Sequence, residues 1–194
     1  MSDEVVVRQC APTLACMKTG SLFTAAFPSK DAMHQAVRRL NLLLHARGIR
    51  VLPLRWQGGR ELIYLYRPDR LMNDLRDEMA QKLLGECGYP VGDALGCLCM
   101  LRRRLREERG FPHEIGLFLG YPPRDVDGFM HRRDECKLCG MWKCYDDTHA
   151  AQATWAKCQM CTRNYIRRLQ SGWTLDALAV GHMKEESNTV SRVG

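Results

Sequence analysis

The sequence predicts an α+β fold, mostly helical, with a small antiparallel sheet of about three strands built on one hairpin. Residues 49–56 and 61–67 alternate in a strand rhythm on either side of Gln57-Gly58-Gly59. Apolar residues recur at helical spacing through most of the remaining chain, as in Met33, Val37, Leu40 and Leu44. Hydrophobic residues make up 45% of the 194 positions and charged residues 26%, which is enough apolar material for a core. One domain is expected over residues 1–180, with a cysteine-rich C-terminal part at 134–172 and a disordered tail at 181–194.

A first helix is expected over residues 5–18, then a strand over 21–27. Pro28-Ser29 opens a second helix with Ser29 as its N-cap, and Gly48 ends it. Pro53 interrupts the first hairpin strand and demotes it to an edge or marks a bulge, since proline has no N–H to give to a ladder. Residues 68–84 read as one helix or two short ones, stopped by Gly85 and Gly88-Tyr89-Pro90. Asp93 caps a helix running through Leu98, Leu101 and Leu105 to Gly110. Two short helices, 112–119 and 123–132, flank Gly120-Tyr121-Pro122. Residues 136–145 should be extended or looped, and a long helix should fill 148–170. The tail lacks periodicity and is rich in Ser, Glu, Asn and Thr.

The chain carries 29 Lys+Arg against 22 Asp+Glu, a formal charge of +7. No apolar run approaches the roughly 20 residues of a membrane helix, and Met1-Ser2-Asp3-Glu4 is acidic where a secretory signal is basic. A cytoplasmic protein is expected. In that reducing compartment ten cysteines point to buried thiols, metal ligands or redox thiols rather than a disulfide framework.

The strongest chemical signal is Cys136-Lys137-Leu138-Cys139, then eighteen residues, then Cys158-Gln159-Met160-Cys161. Two CxxC pairs at this separation match a zinc site, each pair reaching one side of a tetrahedron. Zinc is the expected metal, with an iron–sulfur cluster as the alternative. Two other readings compete. Cys136 and Cys139 can form a dithiol that cycles through a disulfide, with Lys137 and Lys143 supplying positive charge. Cys158 and Cys161, three apart on a helix, can be core residues.

Residues 114–132 have the grammar of a helix-turn-helix: a short helix, a glycine, a tight turn and a second helix burying Val126 and Phe129. Asp125 and Asp127 would stand near the start of the second helix and repel phosphates, so nucleic acid is not an expected partner. Arginine outnumbers lysine 22 to 7, with clusters at Arg102, Arg103, Arg104 and Arg106 and at Arg163, Arg167 and Arg168. They form either a site for a phosphorylated or acidic ligand or a solvated face. His113-Glu114 is a possible acid/base or metal pair, or an ordinary helix start. Phosphate-binding glycine loops, GxSxG and HExxH are absent.

Cys10-Ala11-Pro12-Thr13-Leu14-Ala15, Tyr64-Leu65-Tyr66-Arg67-Pro68, the string from Phe111 through His113-Glu114-Ile115-Gly116 to Pro123, and Cys139-Gly140-Met141-Trp142-Lys143-Cys144-Tyr145 together resemble a bacterial family catalogued as domain of unknown function 3793. The resemblance covers the chain to about residue 179. It implies recurring thiols at Cys10, Cys136, Cys139 and Cys161, with Cys158 outside the pattern and valine usual in place of Cys144. An alternative ligand set therefore replaces Cys158 with Cys10. The resemblance also implies gene neighbours encoding flavodoxin and iron-uptake proteins, which makes those proteins the implied partners. The expected function is an accessory, non-catalytic protein with a cysteine-held metal, tied to iron or flavodoxin redox metabolism. The alternatives are a thiol–disulfide or electron-transfer oxidoreductase using Cys136 and Cys139, and a helix-turn-helix regulator at 114–132.

Overall fold

A computed structural model describes residues 1–107 and 110–181; the tail expected at 181–194 lies, apart from Gly181, outside the described residues. The first helix, α1 (Asp3–Leu14), starts where the Ser2 hydroxyl accepts the Val5 amide and where Asp3 and Glu4 place negative charge against the exposed N–H groups. It stops at Leu14 rather than at residue 18, and Cys16 then takes a φ of +58°, which no continuing helix allows. Strand β1 (Gly20–Ala26) follows, then α2 (Lys30–Leu44), whose Ser29 cap accepts the Ala32 amide as expected.

The hairpin is β2 (Arg50–Gln57) and β3 (Arg60–Tyr66). Gly58 and Gly59, at φ +55° and +74°, make the two-residue turn that matches the strands' right-handed twist. Strand order is β1-β3-β2, all antiparallel, so β3 is central. Pro53 lies on edge strand β2, and the register shifts between Pro53 and Arg55. That irregularity moves Trp56 to the same face as Val51, whereas Leu52 and Leu54 face the other way.

Both faces of this small sheet are covered. Ile63 and Leu65 of β3 pack with Val6 and Leu14 of α1, Val37 and Leu40 of α2, and Tyr165 of the long helix α8 (Thr148–Gln170). On the other face Tyr64 and Leu54 meet α3 (Pro68–Asp74), α4 (Glu78–Glu86), α5 (Ala94–Glu107), α6 (Ile115–Phe118) and α7 (Pro123–His131). The region 68–84 is thus divided between two helices, because Asp77 turns its carboxylate back to cap α4 through the Met79 and Ala80 amides. Tyr64 donates its hydroxyl proton to the Phe118 carbonyl, tying the central strand to α6. A short helix α9 (Leu175–Leu178) closes the first core. Among the described residues no helix is long and apolar enough to cross a membrane.

Candidate functional site: a thiol pair beside an aromatic cavity

Residues 136–145 fold as a second, minimal hairpin. Strands β4 (Leu138–Cys139) and β5 (Lys143–Cys144) pair Leu138 with Cys144 and Cys139 with Lys143. The Lys137 amide donates to the Cys144 carbonyl at 2.9 Å and the Gly140 amide to the Trp142 carbonyl at 3.1 Å. Only glycine fits at position 140, where a Cβ would stand 2.3 Å from the Trp155 ring of α8. Tryptophan at 155 thereby backs the turn, with Cys144 and Ala151 beside it in a small third core.

Asp125, in the first turn of α7 and 3% exposed, holds this hairpin in place. One carboxylate oxygen accepts the Tyr145 amide at 2.7 Å and the Asp146 amide at 3.1 Å, and the other accepts the Trp142 indole N–H at 2.7 Å. Trp142 also stacks on Tyr121 at 5.0 Å between ring centroids, and the Tyr121 hydroxyl reaches the Met141 carbonyl. The aspartate set down as repelling phosphates is therefore turned inward. The segment 114–132 is a helical hairpin in which every residue of the four-residue α6 is buried.

The thiols of Cys136 and Cys139 lie 3.5 Å apart at the outer end of this hairpin, and the Cys136 thiol donates to the Leu138 carbonyl. Cys139 is exposed and borders a cavity of about 610 Å³ whose walls include Phe111, His113, Phe129, Trp142 and Lys143. His113 stands edge-on to Phe129 at 5.0 Å, and Lys143 lies 5.6 Å from the centre of the same ring. Burial, and then the nearby Arg133 charge, lower the proton affinity of His113, so its imidazole is neutral at pH 7. The Cys139 thiol titrates above the usual cysteine range, chiefly because its hydrogen bond with Cys136 favours the protonated form; Lys143 pulls the other way. Alkylation of Cys139 by iodoacetamide, followed by peptide mass spectrometry across pH, should have its midpoint above that of a free cysteine. Lys143→Met should move it higher still, because it removes the charge that favours the thiolate. A midpoint that falls or stays put in this variant would contradict the assignment.

The other expected ligands lie elsewhere. Cys158 and Cys161 belong to the buried stripe of α8 formed by Ala151, Trp155, Cys158, Cys161 and Tyr165. Cys10 is fully buried on α1. Burial pushes the Cys10 thiol up to about 12 and the Cys161 thiol up to about 11, so both are protonated at neutral pH. Among the described residues no three His, Cys, Asp or Glu side chains come together as they would to hold a metal ion. The structure thus does not bring the Cys136–Cys139 pair together with Cys158 and Cys161, or with Cys10.

Glu114 also parts from its neighbour. It is 3% exposed and accepts from the Tyr89 hydroxyl and from Arg104, each at 2.8 Å, while His113 faces the cavity. The two side chains thus face different surroundings, although the Glu114 charge still acts on the imidazole. Sequence reasoning missed Phe129, Trp142 and Lys143 as walls of one cavity and Asp125 as their anchor. The signal available was two aromatic segments, 111–129 and 142–145, that end up face to face.

These features define a mixed α+β protein with a close thiol pair, its Cys139 exposed, at the edge of an aromatic cavity. Its family model spans almost the entire described chain. The chain belongs to the family described as Protein of unknown function (DUF3793), which matches residues 6–179. No curated protein and no solved structure matches it.

Proposed function

We propose that the protein is a thiol–disulfide exchange protein in which Cys136 and Cys139 alternate between dithiol and disulfide. The observation that carries this reading is their 3.5 Å separation, with Cys139 exposed to solvent. A disulfide bond is about 2.05 Å long, so side-chain rotation of roughly 1.5 Å closes it without breaking the hairpin. In the exchange, one thiolate attacks a substrate disulfide and releases one substrate thiolate. The second cysteine then attacks the mixed disulfide, releases the other substrate thiolate, and leaves a Cys136–Cys139 disulfide. Restoring the dithiol takes two electrons and two protons. Flavodoxin, implied as a partner by the family resemblance, is the candidate donor. The apolar cavity beside Cys139 would seat the part of the substrate next to its disulfide, and neutral His113 offers a proton acceptor on the same wall.

The test is a thiol count on the full chain after treatment with diamide and again after dithiothreitol. The expected result is loss of two of the ten thiols, mapped to one Cys136–Cys139 bond, fully reversed by reductant and abolished in Cys139→Ser. Ten thiols persisting in oxidant would overturn the reading. So would stoichiometric zinc that shields both cysteines from diamide until a chelator removes it.

A further inference from the structure

A second cavity, of about 450 Å³, opens between α1 and α8 and reaches Met141 of the cysteine hairpin. Lys18 reaches it from the loop that follows α1, Arg8 comes from α1, and Arg163 comes from α8. Gln9, Gln159 and Thr162 add hydrogen-bonding groups, and no aspartate or glutamate lines it. Arg8 is neutralised by Glu4 at 2.8 Å. Lys18 and Arg163 have no carboxylate partner among the described residues. The Lys18 ammonium lies over the face of Tyr121, 4.8 Å from the ring centre. Two uncompensated cations thus share one concavity.

A partly buried ammonium is costly unless an anion answers it. On the side of this cavity the groups that act on Lys18 are neutral thiols: burial holds Cys10 and Cys158 protonated, and neither supplies a charge at pH 7. Asp74 and Asp77 border a different hollow that Lys18 also touches, and neither makes an ion pair with it. Burial lowers Lys18 itself to about 8, so it is still mostly charged at neutral pH while lacking a counter-ion. The chain tolerates the charge where a ligand can meet it.

We infer that this pocket binds the dianionic phosphoryl group of a small phosphate monoester, with Lys18 at its floor, Arg163 at its rim, and Pro12 and Met141 against the organic stem. Two unpaired positive charges match a dianion better than a monoanionic carboxylate. The site is separate from the thiol pair and does not depend on it.

The probes are inorganic phosphate and phenyl phosphate, with benzoate for comparison, titrated into the full chain at constant ionic strength and followed by thermal unfolding. Phosphate and phenyl phosphate should raise the midpoint saturably, and benzoate should not. Lys18→Met should weaken phenyl phosphate binding by about tenfold or more, since a charge-assisted contact is lost. Arg38→Gln, an exposed arginine on α2, should leave binding unchanged. NMR titration of Lys18 in the unmutated protein is a second readout that needs no variant: saturating phosphate should move its pKa upward from about 8. A flat thermal response, an equal response in Lys18→Met, or a Lys18 titration unmoved by phosphate would overturn the proposal. Benzoate binding as tightly as phenyl phosphate would overturn the phosphoryl assignment.

Discussion

Arg67→Met is expected to destabilise the fold by about 3–5 kcal/mol, a large share of a domain's total stability. Arg67 is 3% exposed, at the junction of β3 and α3. Its guanidinium donates to four carbonyls from three separate parts of the chain. Nε reaches Thr13 at 2.7 Å, Nη1 reaches Arg47 at 3.1 Å, and Nη2 reaches Leu14 at 2.7 Å and Val180 at 2.8 Å. Two of those carbonyls end α1, where Thr13 also accepts the Cys16 amide and Leu14 the Val180 amide, and where the helix dipole favours a cation. The remaining two fix the end of the turn after α2 and the segment after α9. Methionine can fill the volume but removes all four contacts: Thr13 and Leu14 keep one backbone donor each, whereas the Arg47 and Val180 carbonyls lose the guanidinium. Each lost charge-assisted bond is worth on the order of 1 kcal/mol or more. Arg67→Lys should recover only a minor part, because an ammonium cannot span four acceptors in a planar fork. Urea unfolding curves check this through their midpoints. A loss below about 1 kcal/mol would mean that water replaces the guanidinium at little cost.

Arg67 also illustrates what a sequence can and cannot convey. The elements themselves were legible where the signal is local: Ser29 as a cap, the Gly58-Gly59 turn, and Pro53 as the mark of an edge strand with an irregular register. The end of α1 was not, because Ala15 to Lys18 carry no breaker and the chain turns there to bring Thr19 beside Arg67, whose amide donates to the Thr19 carbonyl. That β1 pairs with β3, and that helices cover both sheet faces, are long-range facts with no local trace. The same division holds at the candidate site. Cys136 and Cys139 are neighbours in sequence and in space. Cys158 and Cys161 share their spacing, yet both lie on the buried stripe of α8, and only the packing of that helix decides which way a thiol points. Glu114 reads as a functional partner of His113 until Tyr89 and Arg104 claim it from other helices.

Asp125→Ala should release the cysteine hairpin from α7, with a local cost of about 3–4 kcal/mol. Three donors converge on this one carboxylate: the Tyr145 and Asp146 amides and the Trp142 indole. Hydrogen bonds to a charged acceptor contribute roughly 1.5–3 kcal/mol each, and removing the acceptor leaves buried N–H groups unsatisfied. Asp125→Asn is a stricter probe. An amide keeps one oxygen, so it can serve either the two backbone N–H groups or the indole, and its NH2 then faces the remaining donor; about 2 kcal/mol is the expected loss. The hairpin buries little apolar surface beyond Cys144, Ala151 and Trp155, so the damage should stay local while the two larger cores hold. Two measurements separate local release from global unfolding. Hydrogen exchange should accelerate at Tyr145 and Asp146 while the amides of β3 keep their protection. The Cys144 thiol, fully buried in the intact protein and held protonated mainly by that burial, should become open to alkylation. Because the same hairpin sets Cys139 against the cavity wall, the Cys136–Cys139 disulfide should still form in Asp125→Ala, whereas exchange with an apolar substrate disulfide should slow. Wild-type exchange rates at Tyr145 and a Cys144 that stays closed to reagent would show instead that Trp155 and Gly140 hold the hairpin unaided.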